Sequence, residues 1–184
     1  DDPLVGGAVD AFEAAGLTAF GPRANAAILE GSKAFSKDLM KKYHIPTAEY
    51  ENFTDAQAAL EYVKTCRLPV VLKADGLALG KGVLICNTRE EALNGVKTIM
   101  MDRQFGDAGS CMVAEEFLTG REVSVLAFVD GSTVKVMSSA QDHKRALDGD
   151  QGLNTGGMGT LSPSPFYTEQ IDEICRRTIY QPTV

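Results

Sequence analysis

The chain has 184 residues, room for one domain or two small ones and for a buried core. Its apolar content of 44% and charged content of 23% match soluble globular proteins and exclude a disordered or fibrous chain. Lys and Arg number 18 against 25 Asp and Glu, a net charge of −7, which excludes a general nucleic-acid binder because phosphates demand a basic face. No apolar run reaches the roughly 18 residues of a membrane span. The opening Asp1-Asp2-Pro3-Leu4 lacks a signal peptide's Met, basic region and apolar region, and reads as the start of a chain cut from a longer one. The four cysteines, at 66, 86, 111 and 175, form no C-x-x-C pair, and there are only two histidines, His44 and His143. Zinc is therefore not expected, and reduced thiols fit a cytoplasmic protein.

The predicted elements begin with a helix over residues 4–15, closed by Gly16, and a short strand over 18–20, ended by Gly21-Pro22. A second helix covers 31–43, with Phe35, Leu39 and Met40 on one stripe and Lys33, Lys37, Lys41 and Lys42 off it. Pro46 stops it. Residues 48–53 form a strand, and Thr54 caps a helix holding Ala58, Leu60, Tyr62 and Val63. Strands follow over 69–73 and 83–86, separated by a glycine-rich stretch. Thr88 caps the next helix, with Glu90 and Glu91 in its first turn, and 112–116 is a further strand. Strands 122–129 and 133–137 flank Asp130-Gly131, a hairpin signal. Residues 138–165 form a long polar loop, and a final helix over 168–180 stops at Pro182.

Lys73-Ala74-Asp75-Gly76-Leu77-Ala78-Leu79-Gly80-Lys81-Gly82-Val83 invites a P-loop reading, G-x-x-x-x-G-K-[ST], but Asp75 and Gly82 break the pattern. The dinucleotide fingerprint fails on spacing. Both motifs also need a helix after the glycines, whereas Val83-Leu84-Ile85 continues as strand. The alternative is a glycine-rich hairpin tip whose bare N–H groups and flanking lysines meet a polyphosphate. Read by itself it is equally a mobile hairpin with a solvated lysine.

The order of motifs resembles an ATP-grasp domain, and more narrowly the phosphoribosylamine–glycine ligase family. The matching stretches are Phe20-Gly21-Pro22, Leu29-Glu30-Gly31-Ser32-Lys33, Ile45-Pro46-Thr47-Ala48, the hairpin, Glu115-Glu116-Phe117-Leu118 with Glu122, Gln141-Asp142-His143-Lys144-Arg145 and Asn154-Thr155-Gly156-Gly157-Met158-Gly159. They cover nearly the whole chain. The resemblance implies an α/β (α+β) architecture. In it, residues 1–47 are the end of an N-terminal α/β domain with a linking helix, 48–118 the small ATP-grasp lid, and 119–184 part of the larger ATP-grasp subdomain.

In that family ATP lies between two subdomains. The resemblance assigns the phosphates to Lys33, Lys73 and the hairpin residues Gly76, Gly80, Lys81 and Gly82. Without it, Lys33 reads as an exposed helix lysine beside Lys37. Glu115, Glu116, Phe117 and Leu118 would line adenine, with a Glu116 carbonyl and the Leu118 N–H as its partners and one of the two glutamate side chains assisting. Glu122 would hold the ribose hydroxyls. The loop 141–159 would carry the other substrates. Asp142, Lys144 and Arg145 are the catalytic candidates, and His143, Asn154, Thr155, Gly156, Gly157, Met158 and Gly159 the substrate-binding ones, Arg145 offering a planar fork to a carboxylate or phosphate.

The implied reaction joins glycine to 5-phosphoribosylamine in purine biosynthesis. Glycine's carboxylate attacks the γ-phosphorus of ATP, releasing ADP, and the amine then displaces phosphate from glycyl phosphate. Such chemistry asks for positioning and charge neutralisation, and no nucleophile is offered here. The family's Mg²⁺ ligands are expected beyond residue 184, so the chain is expected to need the rest of its parent enzyme for turnover. Leu79, Leu153 and Thr160-Leu161 depart from the family pattern at loop positions. The competing readings are another ATP-grasp carboxylate–amine ligase, which the loop 141–159 would distinguish, and a non-catalytic nucleotide-binding fragment.

Overall fold

The computed structural model describes residues 2–77, 82–149 and 151–184, with Leu153 and Asn154 in backbone only. The contacts divide the chain into two units, one reaching to Lys42 and including Thr47–Leu118, the other comprising Tyr43–Pro46 and Thr119–Val184.

The first unit opens with four helices, α1 (Asp2–Val5), α2 (Ala8–Ala14), α3 (Ala24–Gly31) and α4 (Lys33–Lys42). Strand β1 (Tyr50–Phe53), helix α5 (Ala56–Thr65), strands β2 (Val70–Ala74) and β3 (Val83–Cys86), helix α6 (Arg89–Val96) and strand β4 (Met112–Glu116) follow. A π-helical turn, Lys97–Met101, prolongs α6. The strands form one antiparallel sheet in the order β1-β4-β2-β3. Because strand side chains alternate in direction, Val70, Leu72 and Ala74 share one face with Met112 and Ala114 of β4. That face packs on Ala59 and Val63 of α5, Ala92 and Val96 of α6, and Ile99, making the main core. Val71 and Lys73 share the opposite face with Val113 and Glu115, and α4 lies against β4.

In the second unit β5 (Ala127–Asp130) and β6 (Thr133–Val136) make a hairpin in which Asp130 pairs with Thr133. Two further strand pairs follow: β7 (Gln141–Asp142) with β10 (Thr160–Leu161), and β8 (Arg145–Leu147) with β9 (Gln151–Asn154). Thr168 caps α7 (Glu169–Cys175), which runs through a π-helical turn, Arg176–Tyr180, into α8 (Gln181–Thr183).

Several expectations need correction. The helix over 4–15 is two, because Gly7 takes a left-handed φ of 86° and breaks it. Residues 18–20 pair with no strand, and the helix over 31–43 begins at Lys33, after the extended Ser32 that ends α3. The strand over 48–53 starts at Tyr50, and the cap of α5 is Asp55, whose carboxylate accepts from Ala58 N–H, in place of Thr54. Thr88 does cap α6, in a reciprocal box with Glu91. The strand over 122–129 shortens to Ala127–Asp130, leaving Glu122 outside it, and 133–137 ends at Val136. The stretch 138–165 is built from four short strands, its turns tied by backbone hydrogen bonds. Pro182 does not stop the last helix, since the first turn of α8 needs no N–H there.

Leu72 is fully buried at the centre of the main core. Leu72→Ala is expected to lower stability by about 2–5 kcal/mol. Urea unfolding followed by circular dichroism measures this, and a loss under about 1 kcal/mol would contradict the packing described.

Candidate functional site

The first unit concentrates charge on the face of its sheet opposite the main core. Glu115 stands across from Val71, so Lys73, two residues along β2, is its diagonal neighbour on the same face. The Lys73 ammonium donates to Glu115 Oε2 at 2.9 Å, and Lys37 of α4 reaches the same oxygen at 3.1 Å. The side chains of Glu115 and Lys37 are 7% and 8% exposed, against 26% for Lys73. Lys37 also donates to Thr47 Oγ1 at 2.7 Å and the Ala48 carbonyl at 3.4 Å. Its ammonium lies 5.7 Å from the centre of the Tyr50 ring. Burial, then the Asp38 carboxylate that accepts the Tyr50 hydroxyl, pushes that phenol up to about 12, so it remains neutral at ordinary pH.

This corrects the reading of Lys37 as a lysine off the packed stripe. It is the buried residue of α4, while Phe35 is exposed. Its partner explains the inversion: a carboxylate inside the sheet needs a cation, and the aliphatic stem of Lys37 crosses the apolar layer to supply one. An acid following Met112-Val113-Ala114 in a buried strand was the available signal.

At the foot of the glycine-rich hairpin a second cluster joins β2 to α4. Ser32 Oγ accepts from Phe35 N–H at 3.1 Å, while Asp75 Oδ1 accepts from Ala34 N–H at 3.0 Å. Ser32 Oγ also donates to Asp75 Oδ2 at 3.0 Å, so a serine and a carboxylate together satisfy the positive end of the helix. Lys33 Nζ donates to the Gly76 carbonyl at 2.6 Å. Ala74 N–H meets the Gly82 carbonyl at 2.8 Å, closing the two sides of the hairpin. Gly80, Lys81 and Leu79 lie outside the described residues. Val83 is strand, as the rejection of the P-loop reading requires. Asp75 was passed over because it served only to break that motif. Burial, and then the charge of Asp75, holds the Cys111 thiol above its ordinary range.

At the end of β4 the two glutamates diverge. Glu116 N–H donates to the Glu49 carbonyl at 2.9 Å, and its Oε1 accepts Glu49 N–H at 3.0 Å, while Phe117 and Leu118 are exposed.

In the second unit, Glu122, Asp142, His143, Lys144 and Arg145 line one cavity of about 710 Å³ together with Met158. Glu122 and Lys144 form an exposed ion pair. Arg145 donates to the Gly152 carbonyl at 2.7 Å. Thr155 fastens the loop by accepting Gly157 N–H at 3.1 Å and donating to the Lys144 carbonyl at 2.8 Å. His143 N–H meets the Gly159 carbonyl, and Met158 N–H the His143 carbonyl. Gly157 has φ 121°, which L side chains rarely adopt, and a Cβ there would also sit a tight 3.0 Å from Asp142 Oδ1. A Cβ at Gly156 would meet nothing within 4 Å among the described residues, and Asn154 belongs to β9. Among the described residues no group of three or more His, Cys, Asp or Glu is placed to hold a metal ion, and no helix is long and apolar enough to cross a membrane.

Asp75→Ala is expected to lower stability by about 0.5–2 kcal/mol through loss of the helix cap, with Asp75→Asn costing less. Urea midpoints of the two variants test this. Equal losses would show that the carboxylate does not act as a cap.

Comparison with known proteins gives this geometry a setting. A family model for the phosphoribosylglycinamide synthetase ATP-grasp (A) domain matches residues 31–184. The phosphoribosylamine–glycine ligase of Pasteurella multocida is 53% identical over 99% of this chain, and the match takes in 42% of that protein, so the chain spans about two fifths of its length. The crystal structure of phosphoribosylamine–glycine ligase from Thermotoga maritima superimposes with a TM-score of 0.80 at 38% identity, over 89% of this chain and 41% of that one. The biotin carboxylase domain of the Hydrogenobacter thermophilus 2-oxoglutarate carboxylase, solved with MgADP and bicarbonate, gives a TM-score of 0.71 at 21% identity, over 94% and 38%. That last likeness is one of fold alone.

Proposed function

Because this chain belongs to the phosphoribosylglycinamide synthetase ATP-grasp (A) domain family and has the ATP-grasp fold, we propose that it is the nucleotide- and substrate-handling segment of a phosphoribosylamine–glycine ligase. The parent protein would join glycine to 5-phosphoribosylamine in purine biosynthesis, at the expense of ATP. The four free cysteines suit a cytoplasmic setting, where thiols stay reduced.

The observation that carries this reading is the part-exposed Lys73 ammonium at the foot of the glycine-rich hairpin, held in place by a buried carboxylate. A cation already ordered loses little freedom when a triphosphate arrives. Lys33, bonded only to the Gly76 carbonyl in the contacts described, supplies a second ammonium at the same hairpin. Two compact cations from a helix and a strand suit the spread charge of a phosphoryl group in transfer. The exposed chain at Phe117 and Leu118 offers an apolar surface and backbone groups to adenine, and Glu122 an acceptor to the ribose hydroxyls.

In the second unit, Lys144, Arg145 and Asp142 belong to the acceptor chemistry. Glycine's carboxylate oxygen attacks the γ-phosphorus and ADP departs. The amine of 5-phosphoribosylamine then forms the C–N bond while phosphate leaves and the nitrogen gives up a proton. Arg145 and Lys144 would orient the anionic groups, Asp142 would receive from the amine, and His143 with the 154–159 turn would bind substrate. An exposed ion pair such as Glu122–Lys144 is worth about 0–1 kcal/mol, so ligands can separate it cheaply. Mg²⁺ would neutralise charge on the phosphates, held by ligands expected outside this chain.

Calorimetric titration with ATP tests the reading. Lys73→Ala is expected to weaken binding by about 1–3 kcal/mol, the range for a charge-assisted hydrogen bond. An unchanged affinity would remove Lys73 from the site.

A further inference from the structure

Two ammoniums share one oxygen of Glu115, yet they differ in setting. Lys73 is about a quarter exposed and stands beside the hairpin, whereas Lys37 is buried and donates to two further acceptors besides its ion pair with Glu115. A carboxylate as buried as Glu115 cannot give up a lone cation without great cost, because its desolvation would then go uncompensated. With a single lysine the pair would be locked, and Lys73 would be unavailable to any other anion. The second lysine removes that obstacle.

We infer that Lys37 is a positioning residue that keeps the Glu115 charge compensated and thereby frees the Lys73 ammonium to move to an incoming phosphate. The inference rests on the nucleotide reading above and adds to it a residue that touches no ligand. Thr47 Oγ1 and the Ala48 carbonyl also hold the Lys37 ammonium, so it stays with Glu115 when Lys73 turns away. Lys73, with its greater exposure, is the one of the two open to solvent.

The test is ATP affinity of the full chain by calorimetry for the wild type, Lys37→Met, Lys37→Arg, Glu115→Gln and the Lys37→Met/Glu115→Gln double variant. Lys37→Met is expected to weaken ATP by roughly tenfold, the scale of one charged hydrogen bond. Lys37→Arg, which keeps the charge, should stay within about threefold of wild type. With Glu115 neutralised there is no carboxylate to hold Lys73, so the double variant should match Glu115→Gln within about twofold. Should Met at position 37 unfold the chain by circular dichroism, Lys37→Gln, whose amide still donates, takes its place in both backgrounds. ATP affinity unaffected by Lys37→Met, or an equal tenfold loss in the Glu115→Gln background, would overturn the inference while leaving the nucleotide reading intact. Failure of the wild type to bind ATP would overturn that reading, and this inference with it.

Discussion

A carboxylate buried within a β-sheet, shared by two lysines, is the constraint around which the first unit is organised. Glu115 lies in β4, on the face opposite the main core, where burial strips its charge of most of its solvation. Compensation must come from protein cations. The strand register delivers Lys73 along the diagonal, and α4 delivers Lys37 from above the sheet. The position of α4 is thus an electrostatic requirement as much as a packing one. The same helix is tied at its start to the hairpin by Ser32, Asp75 and Lys33, so its first turn is anchored to the glycine-rich segment and its middle to Glu115.

The two units hold their charges differently. In the Glu115 cluster the carboxylate and Lys37 are desolvated, which keeps these two together and makes loss of either costly, while Lys73 is part-exposed. The Glu122–Lys144 pair is exposed, screened and weak, so its groups can be re-engaged by a ligand. The second unit obtains its order from backbone instead. Thr155, Gly157 and the two short strand pairs set the loop around His143, Lys144 and Arg145. On the proposed reading, a preset cation would meet phosphates and a loosely paired set would meet exchangeable substrates.

Much of this was legible in the sequence. The β-branched run 69–73, the strand read over 112–116, the Thr88 cap and the Asp130-Gly131 turn agree with the sheet of the first unit and the hairpin of the second. The strand at Val83 was enough to set aside the P-loop and dinucleotide fingerprints. What escaped was decided by long-range pairing. Lys37 looks like a solvent-facing lysine until Glu115 is seen beneath it, 78 residues away in sequence by position number but 3.1 Å away in space. Asp75 looks like a flaw in a phosphate-binding motif until it is found capping a helix that begins 42 positions earlier, at Lys33. The loop 138–165 hid its short strands because each is only two to four residues long, below the length at which alternation can be recognised.

The central claim is that the Lys73 ammonium is held ready by Glu115 for transfer to a phosphate while Lys37 stays behind. A crystal structure of the protein with a non-hydrolysable ATP analogue addresses it most directly. The account predicts Lys73 Nζ within about 3 Å of a phosphate oxygen and Lys37 still on Glu115 Oε2. Phosphates bound away from the hairpin, with Lys73 still paired to Glu115, would contradict it.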